Sequence, residues 1–386
     1  MKFKFCFCFS FSFWIFILVL LLCADNVQAK LYYWNQERLD SIKTFGLSDN
    51  VVNRCFELAD TYVNNKVLIV TNKALSFSGS KHNLEGIAPY FWEQKVNGEV
   101  RWVAYDGKVN PDISKYDNNK IYELETRLRT LSISYFLSGK SEYFNAYIKQ
   151  IKAWFIGSKT KMYPNFDYAQ LIPGKNNKKG EPGGLIEAYA LNGILESYRL
   201  LNSCKHINKR IDKSMKQWFS ALALWMTTSE NGIAESKTHN NHSIVYYENL
   251  INISIFINND YLLKQALDGL SYAINDQIDE NGHQKNELIR AAAYDYSVYN
   301  LTHIIDACII AKNAGYDIYS IHSKKIERAA SFLLRYANEN KKFPFGNVMS
   351  KDYRSIRVQC NRLLRLNSNL PFSRYNPLTS NYYFVQ

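Results

Sequence analysis

The sequence predicts an all-α protein: an (α/α) toroid or incomplete helical barrel of antiparallel helix hairpins, with long loops that build its binding site. Three observations predict it. From about residue 119, apolar residues recur at three- and four-residue spacing, as in Ile121, Leu124, Leu128 and Leu131. Short polar or glycine-containing breaks separate the apolar stretches, among them Ser138-Gly139-Lys140 and Asn281-Gly282. No strands alternate with the helices, and no glycine-rich phosphate loop occurs.

The first residues read as an export signal. Lys2 and Lys4 precede an apolar run from about Phe5 to Cys23, and Val27-Gln28-Ala29 offers small or apolar residues for cleavage. This predicts a signal peptide over residues 1–29 and a secreted or periplasmic protein. The run approaches spanning length, so an uncleaved anchor is the alternative. A lipoprotein anchor at Cys23 is disfavoured because Leu22 stands where that signal wants a small residue. No later apolar stretch approaches membrane length, so residues 30–386 carry no predicted span.

Helical stretches then follow at about 119–138, 141–157, 183–202, 209–228, 242–257, 261–277, 295–313 and 323–338. Short connections between consecutive helices imply antiparallel hairpins. Two segments break the pattern. Residues 77–118 contain Ser78-Gly79-Ser80-Lys81-His82-Asn83 and Tyr105-Asp106-Gly107, which read as loops or turns. Residues 158–182 carry Pro164, Pro173, Gly174 and Gly180. Long ordered loops in a helical domain commonly form its binding site. The part from about 341 onward is mixed and aromatic, and periodicity does not place it.

Four cysteines remain after the signal: Cys55, Cys204, Cys308 and Cys360. Their wide spacing matches no disulfide framework or zinc ribbon, so buried free thiols are expected. Lysine and arginine outnumber aspartate and glutamate 47 to 35, a formal charge of +12. Losing Lys2, Lys4 and Asp25 with the signal lowers that by only one. A secreted basic protein meets polyanions. Nucleic acid is excluded as the first choice because no recognition motif accompanies the charge. An acidic polysaccharide fits better, since abundant aromatics can stack on sugar rings.

Three segments could carry chemistry: Lys237-Thr238-His239-Asn240-Asn241-His242 before a predicted helix; Asn286 to Leu301, containing Arg290, Tyr294, Tyr296 and Tyr299; and Met162 to Gln170 with Ile172-Pro173-Gly174. Each residue also has a plain structural role open to it. Asn-Asn can cap a helix. Arg290 can pair with Glu287, and Tyr296 can belong to the core. Six residues advance a helix by about 240°, so Arg290 and Tyr296 cannot share one helical face. Both reach one ligand only if Arg290 precedes the regular helix. His239 and His242 lack a carboxylate at matching spacing, so no metal or other cofactor is expected.

Taken in order, these pieces resemble the alginate lyase superfamily of helical polysaccharide lyases. The resemblance runs from about Phe77 to Tyr319. Its pieces are Ala88-Pro89-Tyr90-Phe91-Trp92, Asp106-Gly107 with Asn110-Pro111, Trp154-Phe155, Met162 to Gln170 with Ile172-Pro173-Gly174, Trp218-Phe219, Trp225, Asn240-Asn241-His242, and Arg290 with Tyr296 and Asn300-Leu301. Asn83-Leu84 departs from the family, whose members tend to have an acidic residue and an aromatic there.

The resemblance implies a single toroid catalytic domain over 30–386, acting on an acidic polysaccharide by β-elimination. It implies Asn241 and Arg290 as the groups that neutralise the uronate carboxylate, and His242 and Tyr296 as base and acid. Tyr296 does both jobs when the C5 proton and leaving oxygen share a face. Gln170, Tyr168, His82, Tyr90, Trp92, Asn240 and His239 are the implied substrate contacts. Alginate leads as substrate, with glucuronan-like polyuronates next. The competing functions are an inverting glycoside hydrolase, which needs two opposed carboxylates from among Glu187, Glu235, Glu248 and Glu287, and a non-catalytic glycan-binding protein of the same fold.

Overall fold

The computed structural model describes residues 30–371 apart from 48, 75, 176–178, 206, 340–341 and 349–354, so the predicted signal peptide lies outside the described residues. Two helices precede the first one expected: α1 (Gln36–Phe45) and α2 (Asn50–Asn64). Asn35 and Asp49 cap them by accepting from Arg38 N and Val51 N. The preceding strand of chain is tied in by one buried carboxylate. Glu196 Oε2 accepts from the backbone N–H of Tyr32, Tyr33 and Trp34 at 2.9, 2.8 and 3.1 Å.

The helices then follow as α3 (Lys120–Ser138), α4 (Ser141–Ile151), α5 (Ala190–Cys204), α6 (Lys209–Thr228), α7 (Glu230–Ser236), α8 (Asn241–Ile257), α9 (Asp260–Gln277), α10 (Lys285–Leu288), α11 (Ala293–Asn313), α12 (Ile318–Glu339) and α13 (Ser355–Leu366), of which α7, α10 and α13 were not expected from sequence. Gly139 and Asn258, both in the left-handed region, end α3 and α8. Two expected helices are irregular at one end. α4 runs on as a π-helical turn, Lys152–Ile156, and the stretch before α5 is a 3-10 segment, Pro182–Tyr189.

Helix pairs close a toroid: α3 packs on α4 and α5, α8 on α9 and α11, and α11 on α12 and α13. α8 and α11 are buried on most faces, which marks them as the centre of the assembly rather than its rim. Their polar residues pair within it. Asn252 Nδ2 donates to Asn192 Oδ1 at 2.8 Å, and Asn300 Nδ2 donates to Gln277 and Gln284 at 3.1 and 2.9 Å. The sequons at Asn241, Asn252 and Asn300 are therefore at most 1% exposed and closed to glycosylation in the folded chain.

The loop expectation for residues 77–118 needs correction. It contains an antiparallel hairpin, β1 (Phe91–Val96) and β2 (Glu99–Ala104), paired from Phe91↔Ala104 to Val96↔Glu99. Asn97 and Gly98, with φ of 53° and 82°, make the turn. Asn-Gly is the pair that a two-residue hairpin turn demands. Below the hairpin, Lys73 and Lys120 both pair with buried Asp117. Asn118 accepts from Ile87 N and donates to Ile87 O, at 3.1 and 2.9 Å. The second loop is pinned by indole donors: Trp218 Nε1 to Met162 O at 2.8 Å, and Trp225 Nε1 to Asp167 Oδ1 at 2.9 Å.

The cysteines are free, as expected, but only Cys308 and Cys360 are buried; Cys55 is half-buried and Cys204 exposed. The aromatic stretch after α12 packs Phe343 against Phe332, Tyr336 and Tyr294.

Candidate active site

A cavity of about 550 Å³ opens where the hairpin segment, the second loop, the 3-10 segment and the N-terminal ends of α8 and α11 meet. Tyr90, Gln170, Asn241, His242, Arg290 and Tyr296 line it, with Asn118, Glu187, Tyr189, Asp295 and Tyr299 among their neighbours. Six of the residues singled out from sequence are thus brought together.

Asn240 caps α8, its Oδ1 accepting from His242 N at 3.1 Å. That cap sets Asn241 and His242 in the first helical turn, aimed out of the helix end. The His242 Nδ1 lies 2.6 Å from Oε1 of Glu235, a carboxylate 1% exposed. A carboxylate only accepts, so Nδ1 carries the hydrogen and Nε2 is left for the cavity. Asn241 is held by Glu287: its backbone N–H donates to Oε1 at 2.7 Å, and its Nδ2 reaches both oxygens at 2.9 and 3.0 Å. Burial pushes the Glu287 carboxyl above its usual range, opposed by these Asn241 donors.

Arg290 does precede the regular helix, in the turn between α10 and α11. Its ion pair is with Asp106, not Glu287. Nε and Nη2 grip the two Asp106 oxygens at 3.0 and 2.5 Å. Ala291 N and Tyr296 OH donate to the same carboxylate at 2.9 and 3.2 Å. The guanidinium carbon lies over the Tyr296 ring, 3.6 Å from its centre. This satisfies the geometric condition set by the helical spacing: the arginine approaches the tyrosine from the rim. The fork bonded to Asp106 leaves Nη1 for a ligand. The Arg290 bond holds Asp106 below the usual carboxylate range. Burial, with a bond to Tyr90, pushes the Tyr296 phenol well above its usual value, so it keeps its proton. The strap after α12 fixes this turn, because Asn347 N and Val348 N both donate to Ala291 O at 2.9 Å.

Gln170 sits on the lining at a φ of 52°, a strained backbone for a non-glycine residue and one that aims a side chain at cost. Apart from Tyr90, the other implied contacts lie outside the lining. His82 bonds Lys161 O through Nδ1 at 2.6 Å and stacks on Tyr163. Trp92 donates to Lys108 O at 2.9 Å from the hairpin. Tyr168 packs its ring near Phe77. His239, exposed, bonds Asp276 at 2.7 Å, and Asn240 is spent on the cap.

Sequence reasoning had Asp106 only as a piece of the resemblance, and Glu187 and Glu235 only as carboxylates for the competing hydrolase; it gave none of them its place in this site. Asp106 and Arg290 are 184 residues apart, and Glu235 meets His242 across a helix break. Neither pairing leaves a periodic signal. Among the described residues one further group, Glu248, His303 and Asp306, has the spacing of metal ligands. Its atoms are already engaged: His303 Nδ1 lies 2.5 Å from Glu248, Asn192 donates to Glu248 at 2.9 Å, and Tyr33 and Arg362 bond Asp306. Arg362 supplies the balancing charge there, so the donor set does not call for a divalent ion.

Comparison with known proteins identifies the fold and the family. The alginate lyase family model matches residues 70–343. An alginate lyase from Bacteroides ovatus superposes with a TM-score of 0.84 at 27% identity, over 92% of this chain and 99% of that one. Alginate lyase A1-III from a Sphingomonas species shares the fold at 14% identity, with a TM-score of 0.56 over 93% and 98%. A variant of alginate lyase A1-III complexed with tetrasaccharide matches at 15% identity, with a TM-score of 0.52 over 80% and 78%. No curated protein sequence matches. With its family model spanning most of the chain, the protein belongs to the alginate lyase family and is a polysaccharide lyase.

Proposed function

We propose that this protein is a secreted or periplasmic lyase that cleaves alginate, or failing that a glucuronan-like polyuronate, by β-elimination. The observation that carries the reading is the convergence of Asn241, His242, Arg290 and Tyr296 on one cavity from separate parts of the chain. The family and its alginate-lyase neighbours support the substrate.

The C5 proton of a uronate is hard to remove because the adjacent carboxylate is negative. Asn241 and the Nη1 edge of Arg290 lower that cost by bonding the carboxylate as charge builds on it. A base takes the proton, its electrons form the C4–C5 double bond, and the C4–O4 bond breaks. The departing O4 takes a proton from Tyr296. His242, with its hydrogen fixed on Nδ1 by Glu235, offers Nε2 as base when proton and leaving oxygen lie on opposite faces. When they share a face, Tyr296 serves both steps once its resting proton has passed to His242 Nε2: the phenolate takes the C5 proton and then hands it to O4.

Glu235 and Glu287 are spent on orienting His242 and Asn241, which disfavours an inverting hydrolase built on them. The test is a panel of purified polyuronates. Ultraviolet absorbance from the conjugated double bond is expected, first on alginate. New reducing ends without that absorbance would replace the lyase reading with hydrolysis.

A further inference from the structure

Glu187 stands out in a cavity meant for a polyanion. It lies in the 3-10 segment, 4% exposed, on the cavity lining. Its Oε1 accepts from Asn118 Nδ2 at 3.3 Å. Its Oε2 is buried and has no hydrogen-bond partner among the described residues. A buried unpaired oxygen is costly, and an ionised carboxylate there would also repel a uronate. A neutral acid removes the repulsion, lowers the cost of burial, and turns the unpaired oxygen into a donor that a ligand can satisfy.

The surroundings favour that form. Burial pushes the Glu187 carboxyl up to about 8, the Asn118 bond opposes the rise, and the negative charge of Asp117 adds to it. Asp117 is itself paired with Lys73 and Lys120. On the elements packed around the 3-10 segment, Glu125 of α3 is paired with Arg129, Glu235 of α7 with His242, and Glu248 of α8 with His303. Asp295 and Arg290 also line the cavity, and the Arg290 fork is held by Asp106.

We propose that Glu187 contacts the substrate: as a neutral carboxylic acid it donates a hydrogen bond from Oε2 to an oxygen of the bound uronate chain. The proposal rests on the lyase reading above. It makes substrate capture depend on a proton in the cavity, so that ionisation of Glu187 both removes a donor and introduces a repelling charge.

The experiment compares wild type, Glu187→Gln and Glu187→Ala on alginate across pH 6–10. An amide keeps a donor and cannot ionise. In wild type, kcat/KM should fall by about tenfold per pH unit above about pH 8, mainly through KM, as for loss of one required proton. Glu187→Gln should lose that alkaline fall and exceed Glu187→Ala throughout. Unfolding reads the proton without catalysis. Because the folded-state value is raised from 4.5 to about 8, the stability contributed by protonated Glu187 is full below about 4.5 and lost as pH rises through about 8. The Tm of wild type should therefore decline relative to Glu187→Gln over that window. Parallel pH profiles, or Glu187→Gln as impaired as Glu187→Ala, would overturn the proposal alone. Absence of unsaturated product with every polyuronate and every protein would overturn the lyase reading and this proposal with it.

Discussion

Tyr296 carries its proton in the resting site, lies under the Arg290 guanidinium and touches Asp106. Removing only its hydroxyl should cost kcat about a hundredfold or more, the usual worth of a positioned acid or base, while Tm stays near that of wild type. Near-normal turnover by Tyr296→Phe would take the proton-transfer role from this residue. Asn241 and Arg290 are assigned to one developing charge, so their losses should not add. A double-mutant cycle on kcat/KM with Asn241→Ala and Arg290→Ala should show each costing a few kcal/mol and the double variant less than the sum. Additive losses would assign them separate tasks. Asn241→Ala also strips the side-chain donor from buried Glu287 and leaves it only the backbone N–H of residue 241, so a stability loss of about 1–3 kcal/mol is expected from its unfolding curve. At this scale the residues that line the cavity and are proposed to act on a substrate were legible from sequence, through an ordered set of motifs. Their partners were not. Glu235, Asp106 and Glu287 are ordinary acidic residues until folding sets them against His242, Arg290 and Asn241.

Among the elements, the long helices from α3 to α12 were legible because each buries an apolar stripe at helical spacing, whereas the short α7 and α10 were not. The hairpin was missed although Asn97-Gly98 carries the turn signal. Its strands are only partly buried, so their alternation is weak. The strap after α12 had no periodic signal, yet it holds the Arg290 turn. Gly346 there has a φ of 74°, and an added Cβ would stand 2.5 Å from Ala291 O and 2.9 Å from Arg290 O. Gly346→Ala should therefore push the strap off the turn and displace Arg290. We expect kcat/KM to fall by about tenfold or more, since misplacement of about 1 Å in a catalytic group can cost a hundredfold. The Tm should drop only a few degrees. Unaltered kinetics would mean that the strap does not set the position of Arg290.

For the whole molecule, the excess of positive charge should draw a polyanion toward the cavity. Exposed charges are screened beyond about 8–10 Å at ordinary ionic strength, so KM on alginate should rise with salt while kcat changes little. A KM flat from low to high salt would exclude electrostatic capture. By itself, the sequence determined the helical class and the order of the helices, because apolar spacing and local caps are properties of neighbouring residues; its resemblance to the family supplied the side chains proposed to react. Only the tertiary structure decided which acid meets His242, Arg290 and Asn241, that Arg290 approaches Tyr296 from the rim, and that Glu187 is buried on the cavity wall. Those facts depend on contacts between residues far apart in the chain, and on burial that changes a carboxyl's charge, neither of which is written in local order.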